Sequence, residues 1–188
     1  MPLSTPITPR LNAKIHPVLL FTNNQAKPAS SFYIKIFQRS PTAKYNLPSL
    51  LSRHPNRTPT FTLYGQHFSA IDIPGPPLDH PLPPTMSMLV KCRDQREVDY
   101  FWAELCKDGG KGLGGGMLLD KFGVIWHVYP EEYLEMRGGF GEVGQEKLGR
   151  LVGGFGKFDV GKLEVFGRDW EREGDGYVQG EVEVEGDK

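Results

Sequence analysis

The first 71 residues of this 188-residue chain contain no aspartate or glutamate; the first acid is Asp72. The same stretch holds eight basic residues (Arg10, Lys14, Lys27, Lys35, Arg39, Lys44, Arg53 and Arg57), so it carries +8 and, with a net charge of −1, the remainder carries −9. The bases are spread singly, which fits two halves attracting each other better than a clustered nucleic-acid patch. An acid-poor mitochondrial transit segment is the alternative, opposed by Pro2, Pro6 and Pro9, which break an amphipathic helix. A net charge this small gives no general pull toward nucleic acid or membrane. Cysteine is nearly absent too. Cys92 and Cys106 form no CxxC pair, which excludes a disulfide scaffold and fits a reducing, cytoplasmic setting. No apolar run approaches the roughly 20 residues that span a bilayer. The longest early run, residues 18–21, has a strand's length and is too short for a signal-peptide core.

Glycine and proline, by contrast, are abundant, and they punctuate the chain. Residues 1–13 are polar and proline-dotted and read as a flexible arm. Residues 15–22 read as a strand. Pro28 opens a helix in which Ala29, Phe32, Tyr33, Ile36 and Phe37 recur at helical spacing. Residues 60–73 read as a hairpin turning at Gly65-Gln66. Six prolines between positions 74 and 84 then make a stiff linker. Beyond it the order repeats. Residues 86–92 read as a strand, and Asp94 caps a helix with Val98, Phe101, Trp102 and Leu105 on one core face. Residues 117–129 form a second hairpin. Residues 137–170 read as a short helical extension weakened by glycines, with Asp159 capping a helix through Phe166. The acidic tail, 171–188, has almost nothing to bury and reads as disordered.

The most informative segment is Met117 through Pro130. A polar turn, Asp120-Lys121-Phe122-Gly123, feeds a strand rich in Val, Ile, Trp and Tyr, bounded by Gly and Pro, on which His127 is the one non-apolar residue. An imidazole there is either hydrogen-bonded or faces a cavity. The spacing puts Trp126, its neighbour, on the opposite, core face. The glycine run 111–116 follows a helix and opens a strand, the reverse of a phosphate-binding fingerprint, and reads instead as a mobile loop.

Met86-Ser87-Met88-Leu89-Val90-Lys91-Cys92-Arg93-Asp94 through Trp102, followed by residues 116–130, resembles the PhnB-like group (3-demethylubiquinone-9 3-methyltransferase domain) of the glyoxalase, bleomycin-resistance and vicinal oxygen chelate superfamily. The resemblance extends to residues 25–37, 61–68 and 145–160. It implies an α+β fold: two glyoxalase-like βαβββ modules, residues 14–73 and 85–136, whose curved sheets form a cleft, with short C-terminal helices. It also implies a homodimer; the exclusion of nucleic acid and membrane as partners rests on the small net charge and the lack of long apolar runs. Metal-using relatives place ligands at positions that fall here near His16 or Pro17, at Ala70, at Ser87 and at His127. Ala70 cannot ligate and Ser87 is a poor ligand, so no metal site and no other cofactor is expected; a divalent metal is the minority reading.

The substrate cleft is therefore expected at His127, Ile125, Ser87 and Ala70, with His127 the best candidate for an acid, base or ligand contact. Ser87 and Cys92 show no base partner in the sequence, so neither is expected to be a nucleophile. His67 reads as a surface residue, and His54 and His80 as solvated. The function expected is binding of a small organic molecule, with catalysis left open. A metal-dependent lyase or dioxygenase of the glyoxalase type and a non-catalytic scaffold are the alternatives.

Overall fold

The computed structural model describes residues 15–43, 49–50, 58–74 and 86–173. The expected arm and nearly all of the proline linker lie outside the described residues. The chain divides into two compact units, residues 1–85 and 86–188.

In unit 1, β1 (Val18–Phe21) leads through α1 (Ala26–Gln38) to β2 (Ser49–Leu50), β3 (Thr60–Leu63) and β4 (Gln66–Asp72). The sheet order is β1-β4-β3-β2, with β1 parallel to β4 and the other pairs antiparallel. In unit 2, β5 (Met88–Cys92) leads through α2 (Gln95–Leu105) to β6 (Lys111–Gly114), β7 (Met117–Leu119) and β8 (Ile125–Pro130), in the order β5-β8-β7-β6. Again only the first and last strands are parallel. The repeated βαβββ pattern is thus a repeated topology.

Each sheet packs one face on its helix. Phe61, Phe68 and Ala70 share a face of sheet 1 with the buried side of α1, Ala29, Tyr33, Ile36 and Phe37. Val90, Cys92, Leu118, Trp126 and Val128 do the same beneath Val98, Phe101 and Leu105 of α2. Burial of Cys92 pushes its thiol far up, out of reach of deprotonation. Trp102 departs from expectation: it is half-buried, its ring set against Gly112 on the edge strand.

Local chemistry explains the element ends. Asp94 Oδ1 accepts from the Glu97 N–H (3.0 Å), and buried Glu97 accepts in return from the Arg93 N–H (2.8 Å), a capping-box variant. α1 has no acid in its first turn; its Ala26 N–H donates to Asp72 Oδ1 (3.0 Å), so the first acid in the chain caps a helix 46 residues upstream. The helix starts two residues before Pro28, which is tolerated because a first-turn N–H has no intrahelical partner. The first hairpin turns at Tyr64-Gly65, one residue earlier than expected, because both residues take the positive φ that this two-residue turn demands.

The glycine run is not a mobile loop. Residues 111–114 form the edge strand β6, and Gly114, Gly115 and Gly116 all have positive φ in the turn to β7. Their backbone is pinned: the Gly115 N–H donates to the Phe155 carbonyl (2.7 Å) and the Gly116 N–H to the Gly156 carbonyl (3.0 Å). The extension comprises α3 (Glu131–Gly139), α4 (Glu142–Gly153) and α5 (Val160–Glu173). The expected boundary at 136 thus falls inside α3. α5 runs seven residues past Phe166 and takes in the first three residues of the expected tail, whose remainder lies outside the described residues. No helix among the described residues is long and apolar enough to cross a membrane.

Candidate functional site

Alternation along β8 puts Ile125, His127 and Tyr129 on the sheet face opposite α2. The β5 pairing Leu89↔His127 brings Leu89, and two residues earlier Ser87, to the same face. There three polar groups meet in a line. His127 Nε2 lies 2.8 Å from Ser87 Oγ, and His127 Nδ1 lies 2.8 Å from the Tyr129 hydroxyl. Ser87 is exposed, His127 half-buried and Tyr129 buried. Burial holds the His127 pKa below the ordinary imidazole value, and burial followed by nearby Tyr133 raises that of Tyr129. At neutral pH the three groups are uncharged.

Both ends of the trio are built by identifiable neighbours. Tyr129 meets Tyr133 of α3 edge-on (5.2 Å between ring centres) and also Phe158 (5.2 Å). Phe158 occupies the space a side chain at 116 would need: a Cβ on Gly116 would sit 2.3 Å from its ring and 3.0 Å from Tyr129. The extension thus walls one side of the site. Around the other end lie Leu89, Ile125, Met117 and Leu119, each half-buried or exposed. The strand itself is aimed by the turn before it. Asp120 is buried, and its carboxylate accepts from the N–H groups of Phe122 (2.8 Å) and Val124 (3.0 Å) and from the indole of Trp126 (2.9 Å). This fixes Trp126 on the core face and His127 on the other.

Of the expected cleft residues, Ser87, Ile125 and His127 fall together. Ala70 does not: it is fully buried beneath α1, since β4 turns Phe68, Ala70 and Asp72 toward the helix. The position that corresponds to His127 in unit 1 is Ser69, which pairs with Val18 as His127 pairs with Leu89. Ser69 Oγ lies 3.0 Å from His16 Nε2. The one-residue offset between Ala70 and Ser69 reverses the face, which sequence alignment alone could not decide. Ser87 does have a histidine partner, contrary to expectation. Tyr129 was missed, although its position two residues beyond His127 on a strand was sufficient to place it. His67 is half-buried; its Nδ1 is buried and unpartnered among the described residues, so it is not a simple surface group. His54 and His80 lie outside the described residues.

Among the described residues, no group of three or more His, Cys, Asp or Glu side chains could hold a metal ion. A groove of about 780 Å³ lies at the N-terminal ends of α2 and α5. Its two lysines are already paired, Lys157 with Asp99 and Lys162 with Asp159 (3.9 Å), and Gln95 bridges to the Phe158 carbonyl and the Val160 N–H. The Lys157–Asp99 pair and Gln95 tie the extension to α2 and leave the trio as the stronger candidate.

A family model described as 3-demethylubiquinone-9 3-methyltransferase matches residues 13–129. Among solved structures, the chain is similar to a putative 3-demethylubiquinone-9 3-methyltransferase, PhnB protein, from Bacillus cereus, at 28% identity over 63% of this chain and 99% of that one (TM-score 0.48). A Pseudomonas aeruginosa protein is similar at 19% identity over 63% and 98% (TM-score 0.44). Lactoylglutathione lyase from Agrobacterium tumefaciens is similar at 14% identity over 65% and 96% (TM-score 0.35). No curated protein matches.

Proposed function

The chain belongs to the 3-demethylubiquinone-9 3-methyltransferase family, and from that premise we propose that it binds a small organic molecule on the face of sheet 2 opposite α2. The observation that carries this reading is the Ser87–His127–Tyr129 line. A few convergent polar groups beside apolar side chains are the usual make-up of a small-molecule site. Leu89 is 49% exposed directly across from His127 and offers apolar surface for the body of a ligand. The uncharged trio orients that ligand by hydrogen bonds, not by ion pairing.

The methyl transfer in the family's description does not carry over. Each sheet contains a single parallel strand pair. α1 and α2 follow Asn23-Asn24-Gln25 and Arg93-Asp94, not the glycine-rich strand-to-helix turn that would seat a methyl donor.

Thermal-shift screening against metabolite pools tests the proposal. A ligand at a hundredfold its dissociation constant adds about 2.7 kcal/mol of stability. At least one pool is expected to raise Tm for the wild type, with the shift lost in His127→Ala and Ser87→Ala. A shift that survives both substitutions overturns this site, and no shift from any pool favours a non-binding scaffold. Elemental analysis of the purified protein covers the metal-dependent reading: a stoichiometric divalent metal that His127→Ala removes would replace the present proposal.

A further inference from the structure

We propose that the trio is a polarised donor chain running outward from Tyr129 through His127 to Ser87, so that the site takes its ligand by an acceptor oxygen, that of a carboxylate, carbonyl or enolate. This deepens the binding reading above and rests on it for the location of the site.

A histidine between a serine and a third group looks like a nucleophile, base and orienting partner. That chemistry requires an unprotonated Nε2 facing serine, and hence an Nδ1–H donated to Tyr129. The difference in burial between Tyr129 and exposed Ser87 argues for the opposite tautomer. Tyr129 is 8% exposed, enclosed by Tyr133, Phe158 and Gly116. Among the described residues its hydroxyl has one partner, His127 Nδ1 at 2.8 Å. If Nδ1 carried the proton, the phenol would accept it, and the O–H of this buried side chain would be left without an acceptor among the described residues, which costs about 1–3 kcal/mol. If the phenol donates instead, Nδ1 accepts and Nε2 carries the proton. Nε2–H then donates to Ser87 Oγ at 2.8 Å.

Ser87 is exposed, so its own proton is free to leave the chain toward a bound molecule. In a chain of this kind each bond polarises the next, which strengthens the last donor. A neutral imidazole completes the arrangement, because a second ring proton would again orphan the phenol. The outermost group is therefore a strengthened hydroxyl donor beside apolar Leu89 and Ile125, on a face that also carries Lys91 across from Tyr129. It favours an oxygen acceptor over a cation. The same polarity leaves Ser87 without a general base, so the chain binds and polarises an oxygen; it does not form an acyl-serine.

Ring-nitrogen NMR on uniformly 15N-labelled full-length protein reads the polarity directly. The expected result is His127 protonated at Nε2 and bare at Nδ1, changing to a mixture of tautomers in Tyr129→Phe. A wild type protonated at Nδ1, or a tautomer unmoved by Tyr129→Phe, overturns the polarity. Benzoate, acetophenone and benzylamine then serve as probes of matched aromatic body. Benzoate or acetophenone is expected to shift the His127 Nε2–H signal in a saturable way, and Ser87→Ala to weaken that binding at least about tenfold. Benzylamine binding as tightly as benzoate, or no response to any of the three, overturns the ligand class. The tautomer is read without a ligand, so a wrong polarity and a failed binding reading give separate results.

Discussion

The two units carry a serine–histidine pair at the same point of the same topology, with the residues exchanged. In unit 1 the histidine precedes the first strand and the serine lies on the last: His16 Nε2 to Ser69 Oγ, 3.0 Å. In unit 2 the serine precedes the first strand and the histidine lies on the last: Ser87 Oγ to His127 Nε2, 2.8 Å. The exchange reverses which group is buried. Ser69 is buried and His16 half-exposed, whereas Ser87 is exposed and His127 is held deeper. Among the described residues, only unit 2 has a third member. The position two residues beyond the last-strand partner is Tyr129 in unit 2 and Ile71 in unit 1, where the face exposes Val18, Leu20 and Ile71. A shared fold therefore supports a two-residue contact in one unit and a directed three-residue chain in the other. The difference comes from what packs on the third residue: Tyr133 and Phe158, both contributed by the helical extension beyond Tyr129.

The sharpest way to break this comparison is to dislodge that packing. Gly116→Ala would place a Cβ 2.3 Å from the Phe158 ring, at a φ of +75° that L residues resist. Overpacking and backbone strain together are expected to cost unit 2 roughly 3–5 kcal/mol. Gly65 in the unit 1 hairpin has a similar φ of +81°, but nothing lies within 4 Å of its missing Cβ. Gly65→Ala should cost only the conformational part, about 1–2 kcal/mol. Urea denaturation of both variants decides the matter. Equal losses would mean that Phe158 yields easily and that the extension does not hold Tyr129 in place.

A smaller contrast lies in how each unit uses a carboxylate. Asp120 is buried and accepts from the N–H groups of Phe122 and Val124 and from the Trp126 indole, and Asp120→Ala removes that buried acceptor from all of them. The expected cost is about 3 kcal/mol. Asp72 is exposed and caps α1 through one bond to Ala26, so Asp72→Ala should cost about 1 kcal/mol. Chemical denaturation again measures both. A comparable loss for the two variants would show that the turn before β8 is not what aims Trp126 and His127.

Most of the fold was legible because its signals are local. Apolar spacing in α1 and α2 and the cap at Asp94 each lie within a few residues of what they specify. The errors came from elements that depend on distant partners. The run 111–116 looks like a loop from its glycines, and becomes a strand and a pinned turn because the backbone of residues 155–156 supplies acceptors for it. α1 starts at Ala26 because Asp72 caps it from another strand. The site was legible in half. His127, Ser87 and Ile125 follow from alternation and strand pairing within unit 2. Ala70 fails by one residue on a strand, where one residue is the whole difference between core and opposite face. Tyr129 was open to the same alternation argument. What no sequence pattern shows is that Phe158, 29 positions later, fills the space beside Gly116 and packs edge-on against the tyrosine's ring.

The smallest expected effect follows from titration. Burial lowers the pKa of His127 in the folded protein below its ordinary value of about 6.5. In the window beneath that value the unfolded chain binds a proton that the folded chain resists, so stability falls as pH drops from 6.5 toward the folded pKa and is unaffected above it. Protonation also obliges Nδ1 to donate, which reverses the bond from Tyr129. The imidazole is only half-buried, and solvent screening keeps the effect small, a Tm loss of about a degree or two. His127→Gln removes the titrating group, and in that variant Tm should vary less between pH 7 and pH 5 than in the wild type. If His127→Gln leaves the profile as steep as in the wild type, His127 is not the group that titrates, and the assignment of a neutral imidazole to the chain in unit 2 is wrong.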